Sequence, residues 1–309
     1  MRGFPELTVF SLPKAFRGHI GIIQRNALRS WCKDLCPSDI ILFGDDEGTE
    51  ETARAFGVRH QGEIERNEHG TPYIHSMFER AERTSRHERL CYINADILIL
   101  PGFGRTVCSV RAPKFLIVGQ RWDLDLTEEL SMDQPGWDRL LMDRVAGGGV
   151  RHGPTGIDFF VFPRGMWGKI PAFLIGRSMW DNWLLYKAVD LGAALVDASE
   201  RLPVVHQNHD YAHLSAGGST FWKGPEADWN LKLGGGYDHA YTIEQATHCL
   251  TSEGVEIKLD ALLFGRWRGG TTSRAGRRIV GRVLARTPAR IQAFLRRTFR
   301  GKDRVSFNA

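Results

Sequence analysis

Short apolar runs and helix-spaced apolar stripes alternate along the first hundred residues. The segment ELTVFSL at 6–12 alternates and is β-branched, which predicts a strand stopped by Pro13. Residues 20–35 then carry Ile22, Ile23, Ala27, Leu28, Trp31 and Leu35 at helical spacing. A second strand is predicted at 39–43 (DIILF), and Thr49 and Thr52 cap a short helix ending at Phe56, with Glu50 and Glu51 placed where the helix dipole favours acids. Residues 57–60 begin a third strand, 67–72 are turn chemistry, and 73–84 are helical. The run LCYINADILILP at 90–101, closed by Pro-Gly, predicts a fourth, buried strand. The order β-α-β-α-β-α-β predicts an α/β fold with a doubly wound, mostly parallel sheet and right-handed crossovers.

The second half is less regular. Strands are predicted at 115–120, 156–163, 194–197 and 202–205, and a helix at 173–191. In that helix Trp180, Trp183 and Leu184 form one apolar face, and Asp181 lies about 100° round from it. Residues 126–156 are polar, Gly-rich and loosely helical, which predicts a surface loop, or a substrate lid at a strand end. Toward the C-terminus Ile279, Val280, Val283, Leu284, Ile291, Phe294, Leu295 and Phe299 recur at i, i+3 and i+4 with arginines between them, predicting two short amphipathic helices.

Composition narrows the class. With 309 residues, 42% hydrophobic and 25% charged, the chain suits one large globular domain or two small ones. No apolar run reaches the roughly 18 residues of a membrane span, and the first 14 residues lack the pattern of a signal peptide, so the expectation is a cytoplasmic protein. Five cysteines without zinc-type spacing read as core residues. The net charge of +5 conceals an asymmetry: residues 266–309 hold 13 Arg and Lys against Asp303, or +12, leaving 5 − 12 = −7 for the rest. The expected organisation is a catalytic domain at 1–260 and a basic amphipathic tail at 261–309, where an anionic membrane surface is the expected partner and nucleic acid is disfavoured by the acidic body.

The candidate chemistry starts at Asp96. An ionised carboxylate cannot stand unpaired inside an apolar strand, so it belongs where the strand ends, beside a counter-charge, a cation or water. Asn94-Ala95-Asp96 is therefore either a nucleotide–metal site or a turn cap. Asp45 and Asp46 stand at a strand's carboxyl end, where open α/β sheets bind ligands, and Arg25 is a candidate phosphate contact or a solvated helix charge. His206-Gln207-Asn208-His209-Asp210 concentrates metal-binding or phosphate-binding side chains after a late strand. Trp180, Trp183 and Trp222 suit either the core or stacking on sugar faces.

Taken in order, these pieces over residues 5 to 250 resemble the GT-A nucleotide-sugar glycosyltransferases, in particular the family 2-like branch. The resemblance implies the GT-A (nucleotide-diphospho-sugar transferase) fold, with a donor-binding half at about 1–120 and an acceptor half at about 121–260. It implies that Asp45 or Asp46 contacts the uracil or ribose, that Asp96 stands in the D-x-D element holding Mn2+ or Mg2+ on the diphosphate, and that His206 completes the metal site. Asn94 replaces the first acid of D-x-D, leaving that position for a ribose hydroxyl or a weaker metal contact. Trp180-Asp181 replaces the usual Glu-Asp pair, so the catalytic base rests on Asp181, with Asp158 or Asp210 next in line; Asp158, Trp180 and Trp183 fall on the acceptor side.

The implied activity is a metal-dependent, inverting transfer of sugar from a UDP- or GDP-sugar to a glycan or lipid-linked acceptor, performed in the cytoplasm or at the inner face of the membrane. A dication offsets charge growing on the departing phosphate, and a carboxylate takes the acceptor hydroxyl's proton. Two rivals remain at this stage. One is a sugar-1-phosphate nucleotidyltransferase, of whose phosphate loop Lys14-Ala15-Phe16-Arg17-Gly18 is a poor imitation. The other is a non-catalytic protein that binds membrane or nucleic acid through the tail.

Overall fold

The computed structural model describes residues 4–209 and 223–258. The first half follows the predicted alternation: β1 (Thr8–Ser11), α1 (Gly18–Asp34), β2 (Ile40–Phe43), α2 (Thr49–Phe56), β3 (Arg59–Gln61), α3 (Ile74–Thr84) and β4 (Arg89–Ile93). After it come β5 (Ile97–Ile99), α4 (Phe103–Ser109), β6 (Phe115–Val118), β7 (Arg121–Leu124), α5 (Trp137–Gly148), β8 (Val150–Arg151) and β9 (Phe159–Pro163). The remaining elements are α6 (Trp180–Asp190), β10 (Ala194–Asp197), β11 (Val204–Gln207), α7 (Pro225–Gly234), β12 (His248–Leu250) and β13 (Val255–Ile257).

A nine-stranded sheet runs β13-β12-β10-β6-β9-β4-β1-β2-β3. Its strands are parallel except β9, antiparallel to both β4 and β6, and β13, antiparallel to β12. The fold is therefore α/β with a mostly parallel sheet, as expected. Because side chains alternate across a strand, consecutive residues feed opposite cores. Phe10, Ile41 and Tyr92 enter the layer shared with Phe78, Phe162 and Trp180, whereas Val9, Ile40 and Cys91 enter the layer shared with Leu28, Trp31 and Val107. Both faces are covered, which accounts for the unbroken apolar runs of the central strands.

Three sequence expectations are corrected here. The run 90–101 is two strands: β4 ends at Ile93, Asn94-Ala95-Asp96 leaves the large sheet, and β5 joins a second sheet ordered β5-β11-β7-β8. A carboxylate and a carboxamide have no place inside a doubly covered sheet, and the flanking apolar segments are each long enough for a short strand. Residues 126–156 are not an open loop, since α5 and β8 lie within them, and Leu126, Met132, Leu141 and Val145 bury against Leu98 and Val205 of the second sheet. The helix expected from residue 173 starts at Trp180, behind Met179, whose φ of 91° is a conformation that L side chains rarely adopt. The basic tail, Asp210 and Trp222 lie outside the described residues.

Candidate active site and cation position

The two sheets place several strand ends around one cavity of about 460 Å³. The turn after β4 supplies Asn94 and Asp96, and α6 supplies Trp180 and Asp181 from its first turn. β11 and the residues after it supply His206 and His209, while Asp158 comes from the position before β9. Lys14, Gln24, Arg121, His152 and Arg177 also line it. His206 lies within β11, not beyond it as expected, because the strand's pairing with β7 extends through Gln207.

Asp96 is held by two imidazoles. His209 Nε2 lies 3.1 Å and His206 Nε2 3.6 Å from its Oδ2. Burial opposes ionisation of Asp96, but the His206 charge and the bonds from both histidines outweigh it and hold the carboxyl well below the usual range. Burial likewise opposes a charge on His206, and Asp96 and Asp123 reverse the balance, lifting it to about 9. Oδ1 of Asp96 is shut off from solvent and has no hydrogen-bond partner among the described residues. A carboxylate oxygen buried in this way costs several kcal/mol unless something positive meets it.

One carboxylate and two imidazoles offer ligand atoms within 4.8 Å of one another at this point, Asp96, His206 and His209. The residues fit a divalent cation. Their chemistry suits Mn2+ better than Mg2+, which prefers an all-oxygen shell and keeps much of its water. His209 thus joins Asp96 and His206, the metal candidates expected from the sequence, as a residue that could hold the cation.

The wall beside the cation position is a continuous polar network. Tyr92 OH donates to Asn94 Oδ1 at 2.7 Å, Asn94 Nδ2 donates to Asp158 Oδ1 at 2.5 Å, and Arg121 Nη1 donates to Asp158 Oδ2 at 2.8 Å. Asn94 is spent on linking β4 to Asp158. Asp158, 4% exposed, is committed to Arg121 and Asn94. Asp181 differs. The Asn182 backbone N–H donates to its Oδ1 at 2.9 Å. Burial pushes its carboxyl up to about 6, and the Asp158 charge adds to the rise against that hydrogen bond.

Several sequence candidates lie away from this cavity. Arg25 pairs with Glu129 at 2.9 Å, and Asp45 and Asp46 share Arg66 at 2.8 and 3.1 Å. Trp183 packs on Phe173 in the core, whereas Trp180 both packs on Tyr92 and lines the cavity. The reading missed Arg121, Asp123 and His152. The available signal was in RWDL, where Arg121 and Asp123 alternate with Trp122 and Leu124 in the strand period.

No protein-family model matches the sequence, and neither does any curated protein sequence. Among solved structures the chain is similar to nucleotide-sugar glycosyltransferases. One is a mannosyltransferase from Pyrobaculum calidifontis in complex with GDP-Man and Mn2+, at 14% identity and a TM-score of 0.42 over 66% of this chain. This chain spans 57% of the length of that enzyme. Another is glucosyl-3-phosphoglycerate synthase from Mycobacterium tuberculosis with Mn2+, UDP-glucose and phosphoglyceric acid, at 14% identity and a TM-score of 0.43, covering 75% of this chain and 80% of that one. Likeness at this level carries no residue-by-residue correspondence, so the chemistry rests on the cavity itself.

Proposed function

We propose that this protein is a divalent-cation-dependent glycosyltransferase that moves a sugar from a UDP- or GDP-sugar to a hydroxyl of a glycan or lipid-linked acceptor, with inversion. The observation that carries the reading is Asp96, whose Oδ2 faces two histidine nitrogens while its buried Oδ1 has no hydrogen-bond partner among the described residues, in the same cavity as a carboxylate whose affinity for a proton is raised. Asp96, His206 and His209 would hold the cation. When bound, it supplies positive charge to the donor diphosphate as negative charge grows on the leaving oxygen. Asp181 accepts the acceptor's hydroxyl proton while that oxygen bonds to the anomeric carbon and the carbon–oxygen bond to the diphosphate breaks. Attack on the face opposite the leaving group inverts the centre in one step. Asp158, paired with Arg121, stands near enough to Asp181 for its charge to raise that carboxyl's affinity for a proton.

The half at 1–120 would hold the donor through Asn94 and Asp96, and the half at 121–260 would hold the acceptor near Asp158, Trp180 and Asp181. Arg25, Asp45 and Asp46 would meet the donor only if their present partners released them. The tail at 261–309 would bring the enzyme to an anionic membrane where lipid-linked acceptors reside.

Calorimetric titration of UDP and GDP with Mn2+, with Mg2+ and with EDTA tests the reading. The expected result is nucleotide binding that requires the cation, is stronger with Mn2+, and disappears in Asp96→Ala. Binding of equal strength in EDTA and in Asp96→Ala would sink it. Release of nucleoside diphosphate from a UDP- or GDP-sugar panel then identifies the donor.

A further inference from the structure

Asp123 is absent from the cavity lining, yet it lies directly behind the cation position. The parallel pairing of β7 with β11 puts Asp123 opposite His206, so the two side chains share one face of the second sheet. His206 Nδ1 lies 3.2 Å from Asp123 Oδ1 and 3.3 Å from Asn208 Oδ1. The Asn208 amide is turned by its own bond, since Nδ2 donates to Asp125 Oδ1 at 2.8 Å, and its carbonyl oxygen therefore faces the ring. Both groups facing Nδ1 are acceptors, so Nδ1 must carry the proton. Nε2, the nitrogen that faces Asp96, is then the one a cation can take in place of a proton.

Asp123 is itself fixed on both oxygens. Arg121 Nε donates to Oδ1 at 2.8 Å, and His152 Nδ1 meets Oδ2 at 2.6 Å. Arg121 also donates to Asp158, which accepts from Asn94 in the turn that carries Asp96. The carboxylate behind His206 and the carboxylate that faces the cation are thus braced by one connected frame.

Resting on the cation reading above, we propose that Asp123 is a positioning residue that fixes the tautomer and ring angle of His206, presenting Nε2 to a divalent cation held with Asp96 and His209. Carboxylate partners of metal-bound imidazoles typically change metal affinity by about 10- to 100-fold when removed. Asp123→Asn removes the carboxylate charge behind the imidazole, and Asp123→Ala removes the acceptor of the Nδ1 proton altogether.

Binding of Mn2+ to the full chain, measured by the loss of the free-ion paramagnetic resonance signal, is compared for wild type, Asp123→Asn, Asp123→Ala and Asp123→Glu. The expected result is about 10- to 100-fold weaker binding in Asn and Ala variants, with partial recovery in Asp123→Glu, where a longer carboxylate still accepts from Nδ1. Long-range 1H–15N spectra of the wild type with diamagnetic Zn2+ should show His206 protonated on Nδ1 and coordinated through Nε2. That measurement decides the matter even if a variant fails to fold. Coordination through Nδ1, or unchanged Mn2+ affinity in both Asn and Ala variants, overturns the positioning role and leaves the cation site standing. A wild type that binds no Mn2+ overturns both.

Discussion

In the proposed reaction Asp181 would join catalysis to stability through a single carboxyl group. Burial and the Asp158 charge raise it to about 6, so it is ionised and able to accept a proton at neutral pH, yet is a stronger base than an exposed Asp. Transfer should fall as pH drops through about 6, and a rate profile flat down to pH 4.5 would remove Asp181 from the role. The linkage has the opposite sign for stability. A carboxyl raised above its unfolded value favours folding in its neutral form, an advantage present below about pH 4 and lost as pH rises through about 6. Asp181→Asn keeps the neutral shape, so it should lower transfer by about 10² or more. At pH 8 the same substitution should raise stability by about 1–3 kcal/mol. A melting curve and a turnover assay on the same preparation check both halves, and a variant that loses stability and activity together would mean that Asp181 is structural. Asp96 and Asp181 were legible in sequence because each is an acid set into an apolar pattern. Asp123 and His152 were not, because their link spans 29 positions and depends on the register of the second sheet.

Between elements, Gln207 is the joint that sets the cation turn against the first helix. It is fully buried at the end of β11; its Nε2 donates to Ile23 O at 2.8 Å and Asp96 O at 3.0 Å, and its Oε1 accepts from Asn26 Nδ2 at 3.0 Å. Asn26 passes the connection on, donating to Glu128 O at 2.9 Å and accepting from Leu130 N at 2.8 Å. One pair of carboxamides therefore ties α1, β11, the Asp96 turn and the segment leading to α5. Gln207→Ala leaves a buried donor and two carbonyls short of partners, at a cost of about 2–3 kcal/mol. For a domain of this size that is a melting temperature roughly 5–10 °C lower. Mn2+ affinity should fall with it, because Asp96 O loses the side-chain bond and is left with the 3.3 Å bond from the backbone N–H of Gln207; an unchanged melting point would show that water replaces the carboxamide without loss. The elements themselves were legible up to β4, where apolar period and turn chemistry agree. Beyond it they were not, since the short strands β5, β7 and β8 pair only with segments distant in sequence, and a three-residue apolar stretch carries no period of its own.

For the whole molecule the dominant asymmetry is charge, with +12 on residues 266–309 and −7 on the preceding 265. Residues 266–309 lie outside the described structure. Two destinations compete for the tail: the protein's own acidic body and an anionic membrane. Among the described residues no helix is long and apolar enough to cross a bilayer. The tail's apolar positions, Ile279, Val283, Leu284, Ile291, Phe294, Leu295 and Phe299, suit insertion at an interface, whereas a purely electrostatic contact with the body would need none of them. Each basic residue near an anionic surface contributes about 1 kcal/mol, and surface screening weakens this within a Debye length of about 8 Å at 0.15 M salt. Full-length protein should therefore sediment with phosphatidylserine vesicles at about 0.05 M salt and release partly near 1 M, with the remainder held by the apolar faces. Deleting residues 266–309 should abolish sedimentation and leave turnover of a water-soluble acceptor unchanged. If the full-length protein ignores these vesicles at low salt, or if the deletion variant still sediments, the tail is not the anchor, and the acceptor must reach the cavity by another route.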